Sequence, residues 1–127
     1  MSFTNFLETE ILDHVFGGNA YSAPGTLYVA LFTAVSDGEA GTVTEVSGGG
    51  YARQSAAFTV SGNTASNSAS IEYPTATASY GTVTHVGIYD ASTGGNLMAY
   101  ASLTASKAID TGDVFRIPTG DLDITLD

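Results

Sequence analysis

The sequence predicts a mainly β fold, a single antiparallel β-sandwich or barrel-like domain with one N-terminal α-helix. Apolar residues recur at every fourth position only near the start of the chain, whereas later segments alternate with a period of two. Turn sequences rich in Gly, Asn and Asp separate these later segments at short intervals, which is typical of antiparallel sheets. The 127 residues fit one domain. Within it we distinguish an N-terminal helical segment, 1–18, from a β-rich part, 19–127.

The helix is predicted to run from Thr4 to Phe16 and to end at the glycine pair Gly17-Gly18. Asn5 and Glu8 have the spacing of a capping pair at its start. Its apolar stripe consists of Phe3, Phe6, Leu7, Ile11 and Val15. The stripe packs either on the rest of the same domain or on a neighbouring subunit, and both alternatives stay open.

Seven later segments predict about seven strands. In the first of them, Thr26–Thr33, both alternating faces are apolar, so we expect a central strand that is covered on both sides. The polar stretch Ser36–Gly50 is expected to form a surface loop. The other strands are expected near Tyr51–Val60, Ala69–Tyr73, Thr82–Asp90, Leu97–Leu103, Asp113–Ile117 and Asp121–Leu126.

The last predicted strand shows the clearest alternation of the chain. Its inward-facing residues are expected to be Leu122, Ile124 and Leu126. Its outward-facing residues are expected to be Asp121, Asp123, Thr125 and Asp127. The three aspartates would make this edge of the domain strongly acidic.

The charge balance restricts the partners of the protein. Three Lys and Arg residues stand against thirteen Asp and Glu residues, a formal net charge of −10. Arg53, Lys107 and Arg116 are too few to form a basic patch, so we expect no direct binding of nucleic acid or of an anionic membrane. The chain has no Cys, which excludes a disulfide or thiolate site. It shows neither a long apolar run nor the features of a signal peptide, and we expect assembly without export.

The polar residues lack the arrangements that catalysis or metal binding requires. His14 follows Asp13 on the acidic helix, where we expect a solvated or helix-capping side chain. His85, expected to be half-buried, lies five residues before Asp90, and the two should point to opposite faces of one strand. No serine lies in a G-x-S-x-G turn, and the acidic turns lack the calcium-loop pattern. We therefore expect no enzymatic activity, no cofactor and no metal site.

The chain is rich in aromatic residues, with seven Tyr and six Phe. Those on predicted strands are expected in the core, namely Phe58, Tyr89 and Phe115. Those beside Gly, Pro or Ser are expected to be partly exposed, as in a protein contact surface or a carbohydrate-binding face; they are Tyr21, Tyr51, Tyr73 and Tyr80. Together with the apolar stripe of the helix, these four tyrosines are the candidate assembly contacts.

Six segments, in one order along nearly the whole chain, carry a resemblance to known proteins. They are Ile11–Gly18, Leu27–Thr33, Gly49–Arg53, Tyr73–Thr77, Gly81–Asp90 and Thr93–Leu97. The set resembles a group of small virion structural proteins of tailed bacteriophages that are often labelled tail fibre protein. The resemblance brings no catalytic residues, and it implies a structural protein of the virion that assembles in the host cytoplasm.

Three roles are compatible with that resemblance. The favoured one is a capsid decoration or cement protein that stabilises the head, because the chain is compact and shows no repeat of the kind expected in a fibre. The alternatives are a tail, baseplate or tail-fibre component, and a carbohydrate-binding adhesin module. The expected partners are other copies of the chain in a homotrimer, and the major capsid protein or other virion proteins.

Overall fold

The computed structural model describes residues 1–126. Within them the chain forms eleven strands and one helix, which confirms the prediction of a mainly β fold with one N-terminal helix. The helix, α1, spans Asn5–Val15. The strands are β1 (Ser2–Phe3), β2 (Leu27–Asp37), β3 (Thr42–Glu45), β4 (Gln54–Ala56), β5 (Phe58–Ser61), β6 (Thr64–Asn67), β7 (Ile71–Glu72), β8 (Gly81–Tyr89), β9 (Leu97–Ile109), β10 (Arg116–Ile117) and β11 (Asp123–Thr125).

The largest sheet contains six antiparallel strands. Five follow the order β1-β9-β8-β2-β3, and β4 pairs with the beginning of β2. Two smaller antiparallel sheets, β11-β6-β5 and β10-β7, pack against one face of it in a sandwich-like arrangement. Strand β2 is central, and Val29–Phe32 within it are completely buried, as its two apolar faces predict.

The two faces of β2 belong to two apolar clusters. Val29 and Leu31 point into the main core, where they meet residues of the smaller sheets. Ala30 and Phe32 point the other way, into a second cluster that includes Tyr89 and Leu97. This second cluster lies beside the N-terminal segment, which pairs with β9 at Ala99 and Tyr100.

One loop prediction and one strand prediction are wrong. The stretch Ser36–Gly50 is not a single loop, because β2 continues to Asp37 and β3 returns beside it. Val43 in β3 packs on the second cluster, and that contact with Phe32 and its neighbours gives the short strand an apolar partner. The predicted strand Tyr51–Val60 is two strands in different sheets, since β4 pairs with β2 whereas β5 pairs with β6.

The C-terminal half departs from the prediction in the length of one strand and in the exposure of one side chain. Strand β9 extends beyond Leu103 to Ile109, with an irregularity in its pairing to β8. In the last strand Leu122 is buried and Ile124 half-buried as expected, but Leu126 is 55% exposed, because it lies past the end of β11. Its acidic neighbours Asp121 and Asp123 are exposed as predicted. Asp127, the third predicted acid, lies outside the described residues.

Candidate assembly surface

The N-terminal segment is held to the sheet before the helix begins. Strand β1 pairs with β9, and the backbone N–H of Thr4 donates to the Met98 carbonyl at 2.9 Å. The buried Thr4 hydroxyl donates to the Leu97 carbonyl at 2.6 Å and accepts from the backbone N–H of Leu7 at 3.4 Å. Thr4 is therefore the N-cap of α1, in place of the predicted capping pair that begins at Asn5.

The inner face of the helix rests on its own domain. Helix α1 contacts β9, and Phe6, Leu7 and Ile11 are half-buried, as is Phe3 in β1. None of the α1 residues, all of which the structure describes, is fully buried. The domain of the same chain thus partly covers the inner face of the helix. It does not cover the opposite side.

The outer side of the helix carries an exposed apolar surface. Leu12 is 58% exposed, Val15 60% and Phe16 82%. Their spacing of three and four residues places them on one face of α1 and its C-cap. We call these three residues the helix patch. Val15 was among the predicted contacts, whereas Leu12 and Phe16 were missed, although their spacing was visible in the sequence.

Two predicted contact tyrosines are interior residues. Tyr73 is 1% exposed and its hydroxyl donates to the Val29 carbonyl at 2.6 Å. Tyr80 is 4% exposed and donates to the Pro74 carbonyl at 3.1 Å. The expectation that they are partly exposed is wrong, because a backbone carbonyl satisfies each phenol and allows it to be buried.

The other two tyrosines are half-buried. Tyr51 stacks on Tyr73, with ring centroids 6.0 Å apart, and its hydroxyl donates to Glu45 at 2.7 Å. Burial and that hydrogen bond raise the pKa of Tyr51 far above its ordinary value. Tyr21 lies beside the start of β9, its hydroxyl 4.0 Å from the sulfur of Met98. Tyr21 is therefore the predicted tyrosine that stays closest to the helix.

Arg53 fastens two loops to the large sheet. Its Nε and Nη2 each donate to the Glu45 carboxylate at 2.9 Å, and its Nη1 donates to the carbonyls of Ala91 and Gly94 at 2.9 and 2.8 Å. Its guanidinium lies 3.5 Å from the centroid of the Tyr89 ring. Burial lowers the pKa of Arg53, but the Glu45 carboxylate outweighs it and raises the pKa overall. This cation is occupied by internal contacts.

The histidines make local contacts. His14 Nδ1 accepts from the backbone N–H of Tyr21 at 3.2 Å, so this exposed side chain ties the end of the helix to the following segment. His85 is half-buried, as predicted, and its Nδ1 lies 2.8 Å from the Thr84 hydroxyl. Among residues 1–126, no group of three or more His, Cys, Asp or Glu side chains is arranged to hold a metal ion. The same residues contain no helix with the length and apolarity that crossing a membrane requires.

These features define a small, sandwich-like β domain with an apolar patch on its N-terminal helix. The chain belongs to the Gp80 family, described as podophage GP4 fiber I protein gp80, whose model matches residues 2–125. The match confirms the resemblance to tail-fibre-labelled proteins of tailed bacteriophages. The protein is therefore a fibre-related structural protein of a bacteriophage virion. No curated protein matches the chain.

Proposed function

We propose that the protein is a part of the podophage tail-fibre apparatus. The observation that carries this proposal is the match to a fibre protein family over residues 2–125. The cement role favoured by the sequence rested on the compact shape and the lack of a repeat. That argument is weaker, because a compact domain can join or cap a fibre without being elongated itself.

The proposed role is structural and non-enzymatic. It requires binding to other copies, as a homotrimer, and to other virion proteins. The exposed helix patch supports it, since apolar side chains such as Phe16 are favourable to bury in a contact. Direct contact with DNA is not part of the proposal, because the chain has three Lys and Arg residues and Arg53 is engaged internally.

The adhesin alternative is weakened by the burial of two of the four tyrosines that suggested it. A carbohydrate-binding face would need exposed aromatic rings, and the tyrosines considered for that role include Tyr73 and Tyr80, which are buried. Tyr51 is engaged with Glu45 and Leu31. We therefore place the protein in the fibre as a structural part and assign it no receptor.

Phage particles assembled without this protein test the proposal. We expect such particles to lose adsorption to host cells while their heads retain DNA on heating as well as complemented wild-type particles do. Normal adsorption combined with heat-sensitive heads would overturn the proposal and favour the cement role. The matched control is the same deletion complemented by the intact gene, which should restore adsorption.

A further inference from the structure

The surface around the helix patch is negatively charged. The first 52 residues contain no Lys or Arg, and the helix itself carries three acidic residues, Glu8, Glu10 and Asp13. Glu8 lies one turn before Leu12 on the same side of α1. The carboxyl end of the helix, where Val15 and Phe16 lie, adds partial negative charge. A partner surface must therefore offer apolar side chains together with cations.

One cleft on the same molecule has these two properties. It has a volume of about 600 Å³ and lies between β9 and the segment that contains β10. Leu103, Phe115, Ile117 and Leu122 contribute its apolar lining. Lys107 and Arg116 also line it, and both are exposed. We call it the β9–β10 cleft.

The charges of the β9–β10 cleft differ from those of the rest of the surface. It contains two of the three Lys and Arg residues of the chain, and within residues 1–126 neither Lys107 nor Arg116 forms an ion pair. The carboxylates of Asp121 and Asp123 also line the cleft and balance these cations. Asp123 accepts a hydrogen bond from Ser66. On a chain with a formal net charge of −10, this cleft offers an acidic helix two cations without an excess of negative charge.

We propose that the helix patch of one copy binds the β9–β10 cleft of a second copy. Within one molecule the two surfaces lie toward opposite ends of β9. The helix begins beside Leu97, whereas the β9 residues that line the cleft begin at Ala101 and end at Lys107. A helix therefore reaches a cleft by crossing to a neighbour.

A contact between two different surfaces is head-to-tail. Each copy then offers a helix patch on one side and an open cleft on the other, and such contacts close into rings when the rotation permits. A ring of three satisfies every helix patch and every cleft. The contact belongs to the protein itself and does not depend on where in the virion it is placed.

Sedimentation equilibrium of the purified full chain tests the contact with two sets of variants. Leu12→Gln with Phe16→Gln removes two apolar side chains of the helix patch, and Lys107→Glu with Arg116→Glu replaces both cations of the cleft with acids. All four side chains are exposed, so the fold should persist. We expect the wild-type protein to form a trimer and each double variant to associate at least tenfold more weakly. Val60→Ser is the control, because Val60 is 71% exposed and lies outside both surfaces.

Charge exchange distinguishes this pairing from a general loss of association. Adding Glu8→Lys to the cleft variant should restore at least half of the lost association, because the two reversed charges again attract. A wild-type protein that stays monomeric at all concentrations would overturn the proposal. The proposal would also be overturned if the helix variant associated more weakly while the cleft variant associated as strongly as the wild type. That result would assign the helix patch to a contact with another surface.

Discussion

The guanidinium of Arg53 lies face-on to the Tyr89 ring, 3.5 Å from its centroid. The same group forms a two-point ion pair with Glu45. Its side chain is 7% exposed and that of Glu45 is 26% exposed. Its bonds to the Glu45 carboxylate reach β3, and its bonds to the carbonyls of Ala91 and Gly94 reach the turn between β8 and β9, so Arg53 joins both to the segment before β4. It is an internal clamp that holds the loops over the second apolar cluster.

Removing this clamp should destabilise the domain. Arg53→Met leaves Glu45 partly buried without its partner, and we expect a loss of about 3 kcal/mol in the free energy of unfolding, measured by urea denaturation. The loss is at the lower end for a buried pair, because Glu45 retains some solvent contact. Adding Glu45→Gln should recover part of it. An Arg53→Met protein as stable as the wild type would show that the clamp contributes nothing.

The buried phenol of Tyr73 provides a second test. Tyr73→Phe removes the donor to the Val29 carbonyl in the central strand and should cost about 1–2 kcal/mol of unfolding free energy. The matched control is Tyr28→Phe on the same strand as Val29, where the change should be close to zero, since residues 1–126 supply the Tyr28 hydroxyl with no hydrogen bond. Equal losses of stability in the two variants would contradict a stabilising hydrogen bond from Tyr73 to Val29.

Stability should fall at alkaline pH. Burial raises the pKa of Tyr73, and burial together with the Glu45 hydrogen bond raises the pKa of Tyr51, above the ordinary value of 10. As the pH rises, the unfolded chain therefore loses these protons before the folded chain does. The contribution of the two phenols to the free energy of unfolding is complete below pH 10 and decreases as the pH rises above it. Phenolate absorbance measured with denaturation should show Tyr51 and Tyr73 ionising as the protein unfolds. A double Tyr51→Phe, Tyr73→Phe variant should lose stability less steeply with pH, and an identical slope would refute the prediction.

Gly87 lies where the second cluster has no room for a side chain. A Cβ there would stand 2.5 Å from the Phe32 ring and 2.8 Å from Leu97 Cδ1. Phe32 is completely buried and cannot move aside, so Gly87→Ala should cost about 2–3 kcal/mol in thermal or urea unfolding. Gly25→Ala is the control, since a Cβ there would meet no other described atom within 4 Å. Similar stabilities for the two variants would contradict the packing.

The strongest periodic patterns predicted the fold correctly. The four-residue repeat identified α1, and the doubly apolar Thr26–Thr33 identified the buried central strand β2. Strand β6, Thr64–Asn67, was not predicted, because its small polar residues lack an apolar alternation and its strand state depends on pairing with β5 and β11. Strand β3 was missed for a similar reason, since Val43 alone supplies its apolar contact.

The candidate surface was predictable only in part. The helix was recognised as a contact element, but the division of its apolar residues depends on where Thr4 anchors it. That anchor turns Leu7 and Ile11 toward β9 and leaves Leu12 and Phe16 outside. The burial of Tyr73 depends on a carbonyl 44 residues away in sequence, which no local pattern reveals. The pairing of Arg53 with Tyr89 is likewise a contact between distant segments.

The position of the protein in the phage particle is the most direct test of its proposed role. An electron cryomicroscopy reconstruction of the intact particle would locate the sandwich-like domain and its helix. We expect density for this domain at the tail, where the fibres attach or within them, and none at the lattice positions of the shell. Copies of the domain on the outer surface of the capsid, with none at the tail, would contradict the fibre assignment.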